Sequence, residues 1–366
     1  MSPTFQLQNS PIFLGPLADT FPDWLEKQHY SQVVILCDEH TCQYCLPYFL
    51  EKTELSKKNL LTQIHSGEAQ KKLATCANIW QAMLDAKLDR QAVVINLGGG
   101  VIGDMGGFCA ATWKRGIDFV QIPTTLLSMT DAAIGGKTGI DFQGIKNSIG
   151  VFQKPAAVFM DPFFLKTLPY RELSSGFAEV IKHALIGDLE LGRQLREWAT
   201  SSVPLTSLNW LDILRKSIAV KVRIVQEDPL EKGARMLLNF GHSIGHALES
   251  WFLDAPEPLT HGEAIYIGMI CESDIESTLT EASTGLEKSI LRAEILALGQ
   301  NVFPHRIIDP LIIPAIWDLM KQDKKNSSGT VRLAVPDEKL FSMKIIEPTQ
   351  LDLERCLISY NAFRNS

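Results

Sequence analysis

Residues 93–137 read VVINLGGGVIGDMGGFCAATWKRGIDFVQIPTTLLSMTDAAIGGK. The short β-branched run Val93-Val94-Ile95 predicts a strand that passes directly into a glycine-rich turn, Gly98-Gly99-Gly100-Val101-Ile102-Gly103-Asp104. Gly98, Gly100 and Gly103 satisfy G-x-G-x-x-G between that strand and a predicted helix, Met105 to Trp113, which is the context a dinucleotide site requires. Backbone N–H groups not screened by side chains can approach a bulky anion, and the N-terminus of a helix adds partial positive charge for a pyrophosphate. Tight strand-to-helix turns favour glycine as well, so the motif alone leaves a structural turn equally open. A second glycine pair, Gly135-Gly136, precedes Lys137 and places a cation beside another anion-friendly loop.

Outward from this stretch, strand and helix patterns alternate. Gln32 to Cys37 predicts a buried strand ending at Asp38, where the carboxyl ends of parallel strands meet ligands. Leu73, Cys76, Ile79, Trp80, Met83 and Leu84 recur at three-and-four spacing and predict a helix with one apolar face. Phe119 to Ile122 and Ala157 to Met160 complete an α/β half with a mostly parallel sheet. From Ser174 onward the periodicity is mainly helical: Leu211, Leu214, Ile218, Val222 and Val225 form one stripe, and Leu286, Ile290, Leu291 and Ile295 another. Short β-like runs return at Thr330 to Val335 and Lys344 to Ile346. The expected organisation is an α/β protein with a Rossmann-like domain at 1–165, a mainly α-helical domain at 166–366, and a cleft near the boundary.

A chain of 366 residues, 45% hydrophobic, can bury a sizeable core in two domains. The net charge of −7 is made of both signs spread throughout, which points away from a nucleic-acid or membrane surface. Seven cysteines, mostly inside apolar runs, suit reduced thiols and a cytoplasmic protein better than a disulfide framework. Cys42-x-x-Cys45 has no second pair and reads as structural. The N-terminal stretch lacks the basic and long apolar segments of a signal peptide, and no apolar run is long enough to span a bilayer.

Three segments carry chemistry. Glu179 and Lys182 would share a helix face, for which a solvated ion pair is the simplest account. Asn239, His242 and His246 would fall on one face of an otherwise apolar helix, and three polar groups so placed need a common partner. His261 opens another predicted helix. One carboxylate and two imidazoles suit a zinc-like divalent ion with positions left open for a substrate; which of His242 and His246 is the ligand and which a proton carrier stays open at this level. The local cations Arg115, Lys137, Lys146, Lys182, Lys221, Arg235 and Lys324 suit a small, multiply anionic substrate.

These segments together resemble the sugar phosphate cyclase family, and within it the 3-dehydroquinate synthases. The resemblance runs from about Ser66 to Val335 and is carried by SGEAQK (66–71), GGGVIGD (98–104), residues 115–141, KNSIG (146–150), LKTLPYRELSSGFAEVIKH (165–183), EKGARMLLNFGHSIGHALE (231–249), HGEA (261–264) and DKK (323–325). It implies an NAD-binding α/β domain, a helical second domain and a homodimer. It assigns zinc or cobalt to Glu179, His242 and His261. It gives NAD to Gly99, Gly100, Val101, Ile102, Gly103 and Asp104, with Glu68 and Lys71 on the adenosine side, and with Thr124, Thr125, Lys137, Lys146, Phe164, Leu165, Lys166 and Thr167. A sugar phosphate would meet Asp131, Lys137, Asn147, Lys182, Lys221, Arg235, Asn239, His246 and Lys324, and Arg115 would reach a neighbouring subunit's site. Lys137, Asn147 and Lys324 would serve the phosphate, and Lys221 with Arg235 the carboxylate. The implied reaction converts 3-deoxy-D-arabino-heptulosonate 7-phosphate into 3-dehydroquinate and phosphate in the shikimate pathway; a sister cyclase or a metal-dependent polyol or glycerol phosphate dehydrogenase is the alternative. The wording of Cys37 to Cys45, Ala132-Ala133 and the segment between His246 and His261 departs from the family's.

Overall fold

The computed structural model describes every residue except 1, 144, 230, 232, 280–284, 323–329, 338–339 and 364–366, and of 276–279 and 285–289 the backbone alone. It comprises two compact units, Met1–Leu173 with Asn209–Val222, and Ser174–Leu208 with Arg223–Ser366. The helix Trp210–Glu227 is counted in the first unit as far as Val222, so Lys221 belongs there, although the sequence pattern placed it in the second domain.

The first unit is built on a seven-stranded sheet. Its strands are β1 (Phe5–Leu7), β2 (Ser10–Leu14), β3 (Val33–Asp38), β4 (Leu60–Ile64), β5 (Val93–Gly98) and β6 (Asp118–Pro123), with β9 (Ala157–Met160) returning after a separate hairpin of β7 (Lys137–Phe142) and β8 (Ile145–Phe152). The order is β1-β2-β9-β6-β5-β3-β4, with β1 the antiparallel member and the other pairings parallel. Every residue of β5 is buried, Asn96 among them, as a mostly apolar strand requires when helices cover both faces of a parallel sheet. The chain leaves β3 for β4 on one side and resumes at β5 on the other. The strand order therefore reverses at β3 and β5, and the glycine turn leaves the carboxyl end of β5 beside that reversal, where open α/β sheets bind their ligands.

The helix after the turn spans Gly100–Thr112, one turn earlier than the apolar pattern predicts, because Gly100 and Gly103 of the motif are themselves helical. It lies almost on the sheet. A Cβ built on Gly106 would stand 1.9 Å from Asn96 Oδ1 and 2.9 Å from Leu36 Cδ2, all of them in the core. Gly106→Ala should therefore cost about 1–3 kcal/mol by overpacking; an unchanged melting temperature would show that the helix can lift off the sheet freely. The helix Leu73–Asp85 buries Cys76, Ile79 and Met83. Leu73 and Leu84, read as part of the same apolar face, are 48% and 58% exposed, since the buried stripe is narrower than the run of apolar residues. Asp38 ends β3 as expected, but its carboxylate is engaged as the cap of Glu39–Tyr44, accepting from Thr41 N at 2.8 Å.

The second unit is mainly helical, with Tyr170–Gly187, Leu189–Ala199, His242–Trp251, His261–Leu279, Gly285–Gly299, Ile313–Gln322 and Gln350–Ala362. A two-stranded antiparallel sheet, β10 (Leu333–Pro336) and β11 (Met343–Ile346), accounts for both short β-like runs. In the stripe on Trp210–Glu227, Leu214, Ile218, Val222 and Val225 are buried while Leu211 is at the edge. In Gly285–Gly299, Ile295 is buried and Ile290 exposed, and Leu286 lies outside the described side chains. No helix among the described residues is long and apolar enough to cross a membrane.

Candidate active site

In the first unit, Gly99 caps the helix with an extended backbone, and Gly98, Gly99, Gly100, Asp104, Ser128 and Ala132 help line a pocket at the switch point. The G-x-G-x-x-G glycines all have negative φ, and for two of them the need is close approach: a Cβ on Gly98 would meet Ile102 at 2.6 Å, and one on Gly103 would meet Gln121 Oε1 at 3.1 Å. Ile102 itself points into the core, which leaves only its backbone for a ligand, and Val101 packs partly against the same cluster. Thr124 N donates to Gly98 O at 3.0 Å, and Thr125 Oγ1 pairs with Ser128 Oγ at 2.9 Å. Phe164 and Leu165 are core residues, whereas Thr167 Oγ1 donates to Phe164 O and Lys166 Nζ sits 4.4 Å from the Phe163 ring centre.

Lys71 is the hub of this side. Its Nζ lies 2.7 Å from Asp104 Oδ2, 2.6 Å from Asn147 Oδ1 and 3.9 Å from Glu68. Burial pulls its pKa down, but the carboxylates of Asp104 and Glu68 outweigh that and raise it, so the ammonium stays charged. Asn147, expected among the substrate residues, is held with the expected cofactor residues by a left-handed backbone (φ 50°) and by Asp141 Oδ1, which accepts from its N–H. Lys137 starts β7 exposed, after Gly135 and Gly136 at φ 113° and 69°; Lys146 is half-buried on β8. Arg115 is exposed in the turn before Gly116. Asp131 lies in the π-helical turn Ser128–Ala132, where Lys221 Nζ pairs with its carboxylate and donates to its carbonyl at 2.8 Å.

The second unit gathers the histidines. Glu179 and Lys182 form an ion pair with side chains 0% and 1% exposed, so the solvated pair read from the sequence is instead a buried one, and Lys182 Nζ also donates to Leu238 O at 2.7 Å. His242 Nε2 and His261 Nε2 face the same oxygen, Glu179 Oε1, at 3.6 and 3.7 Å. The opposite nitrogens are engaged as well: His242 Nδ1 stands 3.2 Å from Phe240 O, and His261 Nδ1 stands 3.4 Å from Glu249 Oε2. Ligand atoms of Glu179, His242 and His261 lie within 4.8 Å of one another. One carboxylate and two imidazoles, each with its far nitrogen fixed by an acceptor, are the donor set and the ring orientation a divalent cation of the zinc type requires. Burial disfavours charge on His261, yet Glu179 and Glu249 prevail and hold its pKa up at about 10; the same negative field favours a cation between the rings.

His246 lies one turn after His242, with ring centres 5.0 Å apart, and 5.8 Å from His261. Asn239 is not on that helix. It ends a 3-10 segment, Ala234–Asn239, and Gly241 (φ 80°) breaks the chain before the helix begins at His242. Its Nδ2 donates to Glu231 Oε1 at 2.8 Å. Arg235 is 4% exposed, with Nη1 donating to Pro229 O at 2.8 Å. Lys324 lies outside the described residues. Sequence reading missed Glu249, legible as the next polar residue on the face of His246, and Glu231, which no spacing rule reaches because its segment is irregular. Cys45, read as structural, is buried, and burial pushes its thiol up to about 11 against the hydrogen bonds of Thr167 and Thr124. A second group, His246, Glu249 and His261, also has ligand atoms within 4.8 Å of one another, and neither group found among the described residues contains a cysteine.

The 3-dehydroquinate synthase N-terminal family profile matches residues 61–175, and its C-terminal counterpart matches 176–326. The chain belongs to the 3-dehydroquinate synthase family. A 3-dehydroquinate synthase of Parabacteroides distasonis is 37% identical over 324 residues, covering 88% of this chain and 90% of the relative. Among solved structures, a 2-epi-5-epi-valiolone synthase from Streptomyces hygroscopicus with NAD+ and Zn2+ bound superposes with a TM-score of 0.77 at 26% identity, covering 97% of this chain and 98% of that one. A 2-deoxy-scyllo-inosose synthase complexed with carbaglucose-6-phosphate, NAD+ and Co2+ superposes at 0.81, with 21% identity and 96% of both chains covered, and shows the shared fold.

Proposed function

We propose that this chain is a 3-dehydroquinate synthase, a carbon–oxygen lyase that takes 3-deoxy-D-arabino-heptulosonate 7-phosphate to 3-dehydroquinate and phosphate. The observation that carries the reading is the donor set of Glu179, His242 and His261 in a chain that also has the glycine turn at the sheet reversal. Bound at these two places, a divalent ion, zinc or cobalt, supplies Lewis acidity at a substrate hydroxyl and NAD supplies a hydride acceptor that is regenerated within each turnover.

The chain's own residues then have distinct tasks. His246, a turn from His242, accepts the hydroxyl proton on a ring nitrogen, directly or through a water relay. Lys182, fixed by Glu179 and the Leu238 carbonyl, presents a charged N–H without further ordering. Lys137, Asn147 and Lys324 bind the phosphate that leaves by elimination, Lys146 contributes to the cofactor, and Lys221 and Arg235 pair with the carboxylate. Held in one orientation, the product of elimination and reduction closes on itself by an aldol step, where positioning accounts for much of the rate. The same reading makes the protein a cytoplasmic homodimer in which Arg115 completes the neighbour's site.

A coupled assay tests it. With the heptulosonate phosphate, NAD and zinc, phosphate should appear mole for mole with substrate loss and reduced nicotinamide should not accumulate. Reduced nicotinamide rising in step with substrate loss would make the chain a polyol dehydrogenase.

A further inference from the structure

Glu272 lies inside the helix His261–Leu279 and is 0% exposed, a costly place for a carboxylate. Its Oε2 accepts from Gly241 N at 2.7 Å, and its Oε1 accepts from Ser243 N at 3.1 Å and Ile244 N at 3.2 Å. These are the unpaired donors at the start of His242–Trp251, and no side chain of that helix's own cap residue meets them. Around the carboxylate the two helices meet backbone to backbone. A Cβ on Gly268 would stand 2.0 Å from Gly241 O, and one on Gly241 would stand 2.8 Å from Ile265 O. Gly241 also needs its left-handed φ of 80° to start the helix at this point.

His242 is the first residue of its helix, and the first turn is the part of any helix that frays when its N–H groups lack acceptors. The helix that supplies the acceptor is the one that opens with His261. We infer that Glu272 is a positioning residue for the cation site: its carboxylate latches the first turn carrying His242 to the helix carrying His261, and so sets the spacing of the two imidazoles. This rests on the cation reading of Glu179, His242 and His261.

The test is zinc affinity of the full chain, stripped of metal and titrated against a competing chelator, together with the melting temperature of the metal-free protein. Glu272→Gln keeps the shape but removes the charge and turns an N–H group toward an N–H donor. It should weaken zinc binding on the order of 10- to 100-fold, as loss of a group supporting a ligand does. Glu272→Asp keeps the charge and should recover part of that affinity. A purely structural cap would lower the melting temperature and leave zinc affinity within twofold of wild type, which overturns the inference. If Glu272→Gln does not fold, zinc affinity of Glu272→Ala decides on the same twofold criterion, and failure of both to fold assigns Glu272 to folding as a whole and also overturns it. His242→Ala run in parallel separates the two ideas: zinc bound by it as tightly as by wild type sinks the cation site itself.

Discussion

His242→Ala is expected to lose the divalent cation and the activity together. The three candidate ligands come from three different helical segments, and the neighbouring donors His246 and Glu249 group with His261 and not with Glu179, so neither restores the set that includes the Glu179 carboxylate. Glu249 already serves His261, and Lys182 occupies the other side of Glu179, so neither can swing in without giving up its own partner. Elemental analysis of the purified variant should find far less than one zinc or cobalt per chain, and phosphate release should fall by several orders of magnitude. Stoichiometric metal in His242→Ala would overturn the assignment even if activity were lost, because it would leave His242 with some other role. Glu179→Gln should behave in the same way and in addition leave Lys182 buried without its counter-charge, at a cost in stability of about 3–5 kcal/mol.

The second large effect is on selectivity. On the proposed reading the substrate carries a carboxylate that must be paired, whereas an analogue without one, such as sedoheptulose 7-phosphate, has no such need, so a cation at the carboxylate would discriminate between them. Arg235 is buried and already held by the Pro229 carbonyl, while Asp228 Oδ2 accepts from its backbone N–H, so its guanidinium is presented with little freedom left to lose. Wild type should prefer the heptulosonate phosphate strongly. Arg235→Ala should lose about 3–5 kcal/mol in kcat/KM for that substrate, the cost of stranding a desolvated anion, and much less for the analogue that lacks the carboxylate. Equal or better turnover of sedoheptulose 7-phosphate by the wild type would move the chain to the sister branch.

Much of this was legible in local pattern. The buried strand, the glycine turn and the following helix are specified within a few residues of each other, by an apolar run and by positions where any Cβ would collide. His246 follows from His242 by one helical turn, and Lys182 from Glu179 likewise. The reading failed where spacing was assumed to continue through a glycine. Asn239 was placed on the helix of His242, but Gly241 adopts a left-handed backbone and the segment before it is a separate 3-10 turn. It failed again at Glu179 and Lys182, whose charge pattern looks the same on a wet face and in a core.

The sequence by itself determined the α/β fold class and the strand-turn-helix at 93–112, because periodicity and glycine placement are properties of a few neighbouring residues. Only the tertiary structure decided that His242 Nε2 and His261 Nε2 converge on one oxygen of Glu179, that Glu249 and the Phe240 carbonyl take the opposite nitrogens, that Asn147 is tied to Lys71, and that Glu272 caps the helix of His242. Each of these joins groups distant in the chain, and their distances are set by how helices and strands pack, which no local rule of spacing contains.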